Sequence, residues 1–470
     1  MRFGVFLLKC RAVACRRAYR HAYHGLAGKG ACPQAPFKGP LRATAPTIGS
    51  LALLFCLLLA AASAQAPTRQ SFDLSSGPAG QPYTQEAGAG LEPGGTADLF
   101  RFSIAVAPGN YRVTVKLGSA TTEGTTTVKA EARRLMLERV HTAPGEFVTR
   151  QFTVNVRTPA MPPGNSLKLN TREWNPATNE AVTATWDSKL TLQFSGTPAV
   201  ASVEIEKIED AITVFLIGDS TVTDQPTEPY GTWGQQLSRW FKPTVAVANH
   251  AESGETLKAF RAQRRWEKVM LEMKPGDYVF MQFGHNDLNF RGHDGIWPRE
   301  DTTGDWVHTH SEANTDYKWL LAAYAVEVKR RGGIPVIVSP MTKINIRTGE
   351  LNVAGMGDYP KAAAEAARMA ECAFIDLNGM SVTLAQSLGP ALAPKAYVDG
   401  LHSNTYGGYL FARCIVEGIR QAGLPLAQHL TEDAGQFDAT KPAPLPGDFQ
   451  LPLEPRPPRP TRPAAPAAKP

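Results

Sequence analysis

A serine that closes a strand, and an aspartate and a histidine three residues apart far downstream, are parts from which acyl-transfer chemistry can be built. Ser220 stands in Gly218-Asp219-Ser220, directly after the apolar run Ile212–Ile217. In an open parallel sheet, reactive groups sit just past the carboxyl ends of the strands. Ser220 is therefore expected to face a crevice, with its backbone N–H open to an anion. A serine hydroxyl is a weak nucleophile until a base takes its proton, and the base needs a carboxylate to orient it. Asp399-Gly400-Leu401-His402 offers both on one loop, with Asp399 toward one imidazole nitrogen and Ser220 toward the other. A tetrahedral oxyanion needs donors already in place. Asn249-His250-Ala251-Glu252-Ser253-Gly254 follows the run Val245–Ala248, and its Gly254 lets the backbone approach a substrate closely. Gly284-His285-Asn286-Asp287 follows the run Tyr278–Phe283, and Asn286 offers an uncharged N–H₂ donor. Each block alone has an ordinary explanation, such as a cap or a local pair. Their types, order and shared placement after strands make them specific together.

Other residues compete for roles. His285 lies beside Asn286, but the base needs an Asp partner and Asp399 already pairs with His402, so His285 reads as structural. His308 and His310 sit in an insertion that forms either a substrate wall, a weak metal site or a solvated loop. Trp233 and Trp297 are candidate sugar-stacking platforms, with core packing as the alternative. No G-x-S-x-G elbow and no G-x-x-x-x-G-K run is present, which disfavours an ordinary α/β-hydrolase and a phosphate-binding loop. Asp219 lacks the second Asp two residues on that a phosphotransfer reading wants.

The elements that must position these residues change character at Ile212. Before it, apolar residues alternate at period two: Phe100, Phe102, Ile104, Val106; then Tyr111, Val113, Val115, Leu117; then Phe152, Val154, Val156; then Leu190, Leu192, Phe194. Short alternating runs divided by Gly, Pro and Asn predict a β-sandwich of jelly-roll type over residues 70–208. After Ile212, buried strands at Ile212–Ile217, Val245–Ala248, Tyr278–Phe283, Pro335–Val338 and Phe374–Ile375 alternate with helices around Gly234–Phe241, Asn314–Arg331, Tyr359–Ala370 and Tyr406–Ala422. That is the signature of a parallel sheet covered on both faces, an α/β domain over 210–430. The Pro- and Ala-rich stretch 440–470 is expected to be disordered.

The formal charge of +6 misleads. Residues 1–64 hold nine Lys and Arg and no acid; the rest has 40 basic and 43 acidic residues, a net of −3, which removes electrostatic support for nucleic-acid binding. Residues 1–64 read as a leader and signal peptide: Leu51–Ala62 is unbroken apolar sequence, shorter than the ~20 residues that span a bilayer. Ala62-Ser63-Ala64 then suits cleavage after Ala64, giving a secreted or periplasmic protein with no stable membrane insertion. The apolar run begins so late that translation is expected to start near Leu41. Of six cysteines only Cys372 and Cys414 lie beyond the leader; two buried thiols are expected rather than a pair, and there is no zinc or redox motif.

The four blocks resemble those of the SGNH/GDSL hydrolases. "NHAESGETLKAF", "KPGDYVFMQFGHNDLN", "GDYP" and "YVDGLHSNTYGG", with a β region ahead of the α/β region, resemble the rhamnogalacturonan acetylesterase-like family over roughly Phe72 to Gly423. The resemblance implies a flavodoxin-like three-layer α/β/α hydrolase domain preceded by an all-β, galactose-binding-like sandwich. It implies Ser220 as nucleophile, His402 as base and Asp399 as its orienter. The Ser220 and Gly254 N–H groups and the Asn286 amide would form the oxyanion hole, with no metal and no cofactor. The implied activity is release of acetate from pectin, with an acetylated plant polysaccharide as the partner. Acetylxylan or small-ester hydrolysis is the alternative within enzymes; a non-catalytic carbohydrate-binding protein is the alternative outside them. Members of the family often carry Arg-Ser after the second-block Gly; Glu255-Thr256 stand here, so a cation that could meet an acidic sugar is missing. The sequence leaves open whether the β region binds sugar or braces its neighbour, and what the oligomeric state is.

Overall fold

Fourteen strands carry the architecture, most of them rich in Val, Ile, Phe and Leu at the spacing their faces require. The computed structural model describes residues 69–170, 173–175, 180–181, 184–288, 299–300, 306–307, 310–347 and 350–442. These belong to one unit that begins at Ala66. The expected signal segment, Trp297, His308 and the tail from residue 443 lie outside the described residues.

The strands are β1 (Arg69–Asp73), β2 (Ala89–Leu91), β3 (Leu99–Ala105), β4 (Gly109–Leu117), β5 (Gly124–Ala130), β6 (Arg134–Thr142), β7 (Val148–Val156), β8 (Lys189–Thr197) and β9 (Val200–Ile208) in the first part of the chain. β10 (Ile212–Gly218), β11 (Val245–Asn249), β12 (Tyr278–Gln282), β13 (Ile334–Val338) and β14 (Ala373–Ile375) follow. The later five form a parallel sheet in the order β11-β10-β12-β13-β14. The first crossover thus returns to one side of β10 and the second to the other, which opens a crevice at the carboxyl end of β10.

Both faces of this sheet are covered, as its continuous apolar strands require. In β10, Val214 and Leu216 pack against helices α1 (Trp233–Leu237), α6 (Leu377–Leu392) and α7 (Thr405–Gln421). Phe215 and Ile217 pack on the opposite face against α2 (Leu257–Ala262), α3 (Arg265–Glu272), α4 (Lys318–Arg330) and α5 (Tyr359–Met369). The result is the three-layer α/β arrangement. Helices α2, α3 and α6, and a hairpin formed by Lys343–Arg347 and Glu350–Ala354, were not expected from the sequence. Among the described residues no helix is long and apolar enough to cross a membrane.

The first part of the chain is antiparallel. One sheet runs β2-β3-β8-β5-β6, and β1, β9, β4 and β7 face it across a core of Phe100, Phe102, Ile104, Val113, Val115, Leu192 and Phe194. The second layer does not end at its own edge. β7 pairs with β11 through Val154 and Val247, so β1-β9-β4-β7 continue directly into the parallel sheet, nine strands in all. Composition changes at Ile212; the hydrogen-bonded sheet runs across that change. Joining the edges leaves neither half with an unpaired strand at the junction.

Candidate active site

The nucleophile candidate sits on a tight turn. β10 ends at Gly218, where a Cβ would lie 2.4 Å from the Gln282 carbonyl oxygen, so only glycine lets the strand end this close to β12. The Asp219 carbonyl then accepts the N–H groups of Val222 and Thr223 at 3.0 and 3.1 Å, closing the turn around Ser220. The Asp219 carboxylate points away from the surface and is fully buried. It accepts the Thr221 N–H and hydroxyl at 2.9 and 2.7 Å, and lies 3.2 Å from His285 Nδ1. Burial would raise this carboxyl, but the His285 charge and these hydrogen bonds outweigh it and hold it below the usual range. His285 Nε2 meets the Met341 carbonyl at 2.9 Å. His285 thus pins the Ser220 turn to the Gly284–Asn286 loop and does not reach the Ser220 hydroxyl.

Ser220 Oγ lies 2.9 Å from His402 Nε2. The other imidazole nitrogen, Nδ1, is 2.9 and 3.2 Å from the two oxygens of Asp399. Asp399 Oδ1 also accepts the backbone N–H groups of His402 and Leu401, at 2.8 and 3.1 Å, so the loop that carries the histidine folds around its own carboxylate. Partial burial would raise the Asp399 carboxyl; the His402 hydrogen bonds and charge more than offset it and bring it down to about 2. It is ionised at neutral pH and orients the ring, leaving Nε2 to accept a proton.

Ser220, Gly254, Asn286 and His402 line one cleft of about 430 Å³. Gly254 adopts φ +82, a conformation side chains rarely take. Asn286 Nδ2 donates to the Glu255 carbonyl at 2.9 Å, which fixes the amide plane and leaves its second N–H for a ligand. Among the described residues, neither the Ser220 nor the Gly254 N–H donates to another protein group. A hydroxyl tied to an oriented imidazole, beside three fixed neutral donors, is an arrangement able to carry out acyl transfer.

The β region reaches the same cleft. Glu173 and Thr185, on the excursion between β7 and β8, line it together with Asp224, Gln225, Tyr230 and Glu252. Glu173 accepts the Trp186 indole N–H at 3.0 Å and pairs with the buried Arg265 at 2.5 Å. Asp224 is held by Arg134 at 3.0 Å and by Asn249 at 2.8 Å. Arg134 also donates to the Val247 carbonyl at 2.9 Å, and Arg157 to the Asn249 carbonyl. Sequence reasoning did not find Arg134, Arg157, Asp224, Tyr230, Glu173 or Thr185. A charged residue within a period-two strand identifies a face of the sheet, not a partner.

Two expectations need correction. Trp233 is fully buried in the core, where its indole N–H donates to Gln282 Oε1 at 2.8 Å, so it cannot stack on a sugar. It steadies Gln282, whose amide reaches Thr221 in the Ser220 turn at 2.5 Å. Glu255, at the position where related sequences carry Arg, is also fully buried and faces the Arg265 charge, so this position does not front the cleft. His310 is half-buried. Cys372 and Cys414 are free thiols, pushed by burial up to about 11 and about 12. Among the described residues no three His, Cys, Asp or Glu side chains cluster as a metal site.

Residues 216–408 match the GDSL-like lipase/acylhydrolase family. With the fold and the cleft described above, this makes the later part of the chain a GDSL/SGNH hydrolase domain, an esterase, behind an antiparallel β region. Its relatives narrow the comparison. The rhamnogalacturonan acetylesterase RhgT of Bacillus subtilis is 28% identical over 242 residues, covering 48% of this chain and 97% of that protein. The probable rhamnogalacturonan acetylesterase YesY of the same organism is 25% identical over 227 residues, covering 47% and 98%. A crystal structure of the Bacillus subtilis protein YxiM, 22% identical, aligns with a TM-score of 0.41 over 76% of this chain and 99% of that one. The domain is thus a distant relative of rhamnogalacturonan acetylesterases.

Proposed function

We propose that the protein removes acetyl groups from pectic rhamnogalacturonan through an acetyl-Ser220 intermediate. His402 Nε2 takes the Ser220 proton as Oγ attacks the acetyl carbonyl carbon. The oxyanion forms against the Ser220 and Gly254 N–H groups and the Asn286 amide. The bond to the sugar oxygen breaks, and His402 returns its proton to the departing hydroxyl. Water then attacks the acetyl-enzyme, giving its proton to His402; acetate leaves and Ser220 recovers its hydrogen. The observation that carries this is the hydrogen-bonded chain Ser220–His402–Asp399 opening on a cleft that also holds Gly254 and Asn286. The substrate class is supported by what the relatives are named for.

One observation favours a second reading. The described cleft lining includes the carboxylates Glu173, Asp224 and Glu252 and no Lys or Arg. Glu173 and Asp224 are offset by Arg265 and Arg134 behind them, so what this lining lacks is a cation for an acidic sugar, which suits an uncharged acetylated sugar, as in xylan. Acetate release from acetylated rhamnogalacturonan, acetylated xylan and an aryl acetate, with Ser220→Ala in parallel, separates these. Release from pectin by the wild type alone supports the proposal; release from xylan only keeps the chemistry and moves the substrate. No release from any of the three points to a carbohydrate-binding role. Export is part of the proposal, supported by Leu51–Ala62 and Ala62-Ser63-Ala64; a mature N-terminus at Gln65 in the culture medium or periplasm tests it.

A further inference from the structure

We infer that Arg133, a residue of the β region, is a positioning residue that holds the Ser220 and His402 segments in register; the inference rests on the esterase reading of those two residues. Arg133 lies in the three-residue turn Glu131-Ala132-Arg133 between β5 and β6. Glu131 and Arg133 take φ +54 and +67, left-handed values that residues with side chains rarely adopt and that tend to persist where surrounding structure demands them. The turn enters the α/β region, where Gln235 of α1 donates to the Ala132 carbonyl at 2.7 Å.

The Arg133 side chain is only 10% exposed, and its contacts spread over a segment that joins nucleophile to base. Nη1 donates to the carbonyls of Gln225 and Tyr230, at 3.1 and 2.9 Å. Nη2 donates to Thr405 Oγ1 at 3.2 Å and pairs with the Glu228 carboxylate, whose other oxygen accepts the Thr405 hydroxyl at 2.9 Å. Two of these partners contact a triad residue directly, and the other two anchor the segment that follows His402. The Gln225 amide donates to the Ser220 carbonyl at 2.9 Å. The Tyr230 ring meets the His402 ring edge-on, with centroids 5.9 Å apart. The Gly231 N–H donates to the Ser403 carbonyl at 3.1 Å, and Thr405 starts α7 just past His402. A planar fork of donors can satisfy these groups at once; an ammonium, a single point of charge, cannot. Arg133 touches neither the substrate space nor a triad atom. Its effect is on how far Ser220 Oγ stands from His402 Nε2, a distance to which turnover is steeply sensitive.

The test is aryl acetate turnover by the full chain carrying Arg133→Ala or Arg133→Lys, with Ser220→Ala as control and thermal midpoints recorded for each. Both Arg133 variants are expected to lose between about 10-fold and 10²-fold in kcat, with KM within about threefold of wild type. Free guanidinium at millimolar concentration should restore several-fold of the lost kcat to Arg133→Ala, but not to Ser220→Ala, and equal urea should restore none. If Arg133→Ala does not fold, the split between kcat and KM in Arg133→Lys carries the test. Folded variants with kcat within about twofold of wild type would overturn the inference, as would a loss that follows the unfolded fraction and ignores guanidinium. An inactive Ser220→Ala beside a fully active Arg133→Ala removes only this inference. An active Ser220→Ala removes the triad reading and this inference with it.

Discussion

The parallel α/β half and the antiparallel β half of the described chain contribute to the same cleft by different means. The parallel half supplies its groups from strand ends: Ser220 after β10, Gly254 after β11 and Asn286 after β12 stand on the same edge because parallel strands all finish there. The antiparallel half has no such edge. It reaches the cleft through the excursion that bears Glu173 and Thr185, and through arginines that enter the other half's loops: Arg134 to Asp224, Arg157 to Asn249. One half therefore carries the groups that can react, and the other carries walls and supports. A sheet shared through Val154 and Val247 makes this division mechanically sound, since backbone hydrogen bonds fix the relative position of wall and nucleophile.

The sharpest way to break that division is to remove the reactive groups. Ser220→Ala and His402→Ala are each expected to lower kcat by about 10⁴-fold or more on every ester, large or small. Asp399→Ala is expected to be severe but milder. Near-normal turnover in either of the first two, measured as acetate release, would end the triad reading. Asn286→Ala comes next, at about 10²- to 10³-fold in kcat, because the amide fixed by the Glu255 carbonyl is lost as a donor to the oxyanion. A loss confined to KM would mean that Asn286 binds substrate but does not act in the transition state. The wall should behave otherwise. Thr185→Trp narrows the cleft from the β side, so KM for the acetylated polysaccharide is expected to rise several-fold while aryl acetate turnover stays unchanged. Equal effects on both esters would place Thr185 with the reacting groups rather than the wall.

What could be read from the sequence follows the same division. Ser220, Gly254, Asn286 and Asp399-x-x-His402 were legible because each lies in a short local block, three of the four directly behind an apolar strand. The alternating runs gave the β strands for a similar local reason. Helices α2 and α3 were hidden because "LKAFRAQRRWEKVMLE" carries charge all along its length, and its apolar face (Leu257, Phe260, Trp266, Val269) is interrupted by the left-handed Arg264 between the two helices. Helix α6 was hidden by Gly379, Gly389 and Pro390, although Asp376 caps it by accepting the Gly379 N–H at 3.0 Å. Trp233 was open to misreading because an aromatic near an active-site loop has the same letter whether it faces sugar or core. Arg133, Arg134 and Arg157 had no local signal at all. Their partners are far away in the chain and meet them only once β7 has joined β11.

The seam between the two halves offers the mildest test, one of stability rather than turnover. His250, just past β11, is completely buried between Trp186 of the excursion, at 5.4 Å, and Phe215 of β10, at 5.6 Å. Burial lowers its imidazole from 6.5 to about 4, against the opposing pull of Glu272, 3.4 Å away, while Arg157 and Lys268 add to the lowering. At neutral pH the ring is neutral in both folded and unfolded chains. As the pH falls below about 6.5 the unfolded chain takes a proton that the folded chain refuses, so stability drops progressively until the pH reaches about 4. His250→Phe keeps an aromatic ring against Trp186 and leaves Glu272 its pair with Lys268 at 2.8 Å. Urea unfolding at pH 7 and pH 5 should show a smaller loss for the variant than for the wild type, whatever their absolute stabilities. Equal losses would already overturn the exclusion of the proton, and a smaller loss for the wild type than for the variant would mean that the folded imidazole is charged. The seam would then be held by an ion pair with Glu272, not by the packing of a neutral ring between the two halves.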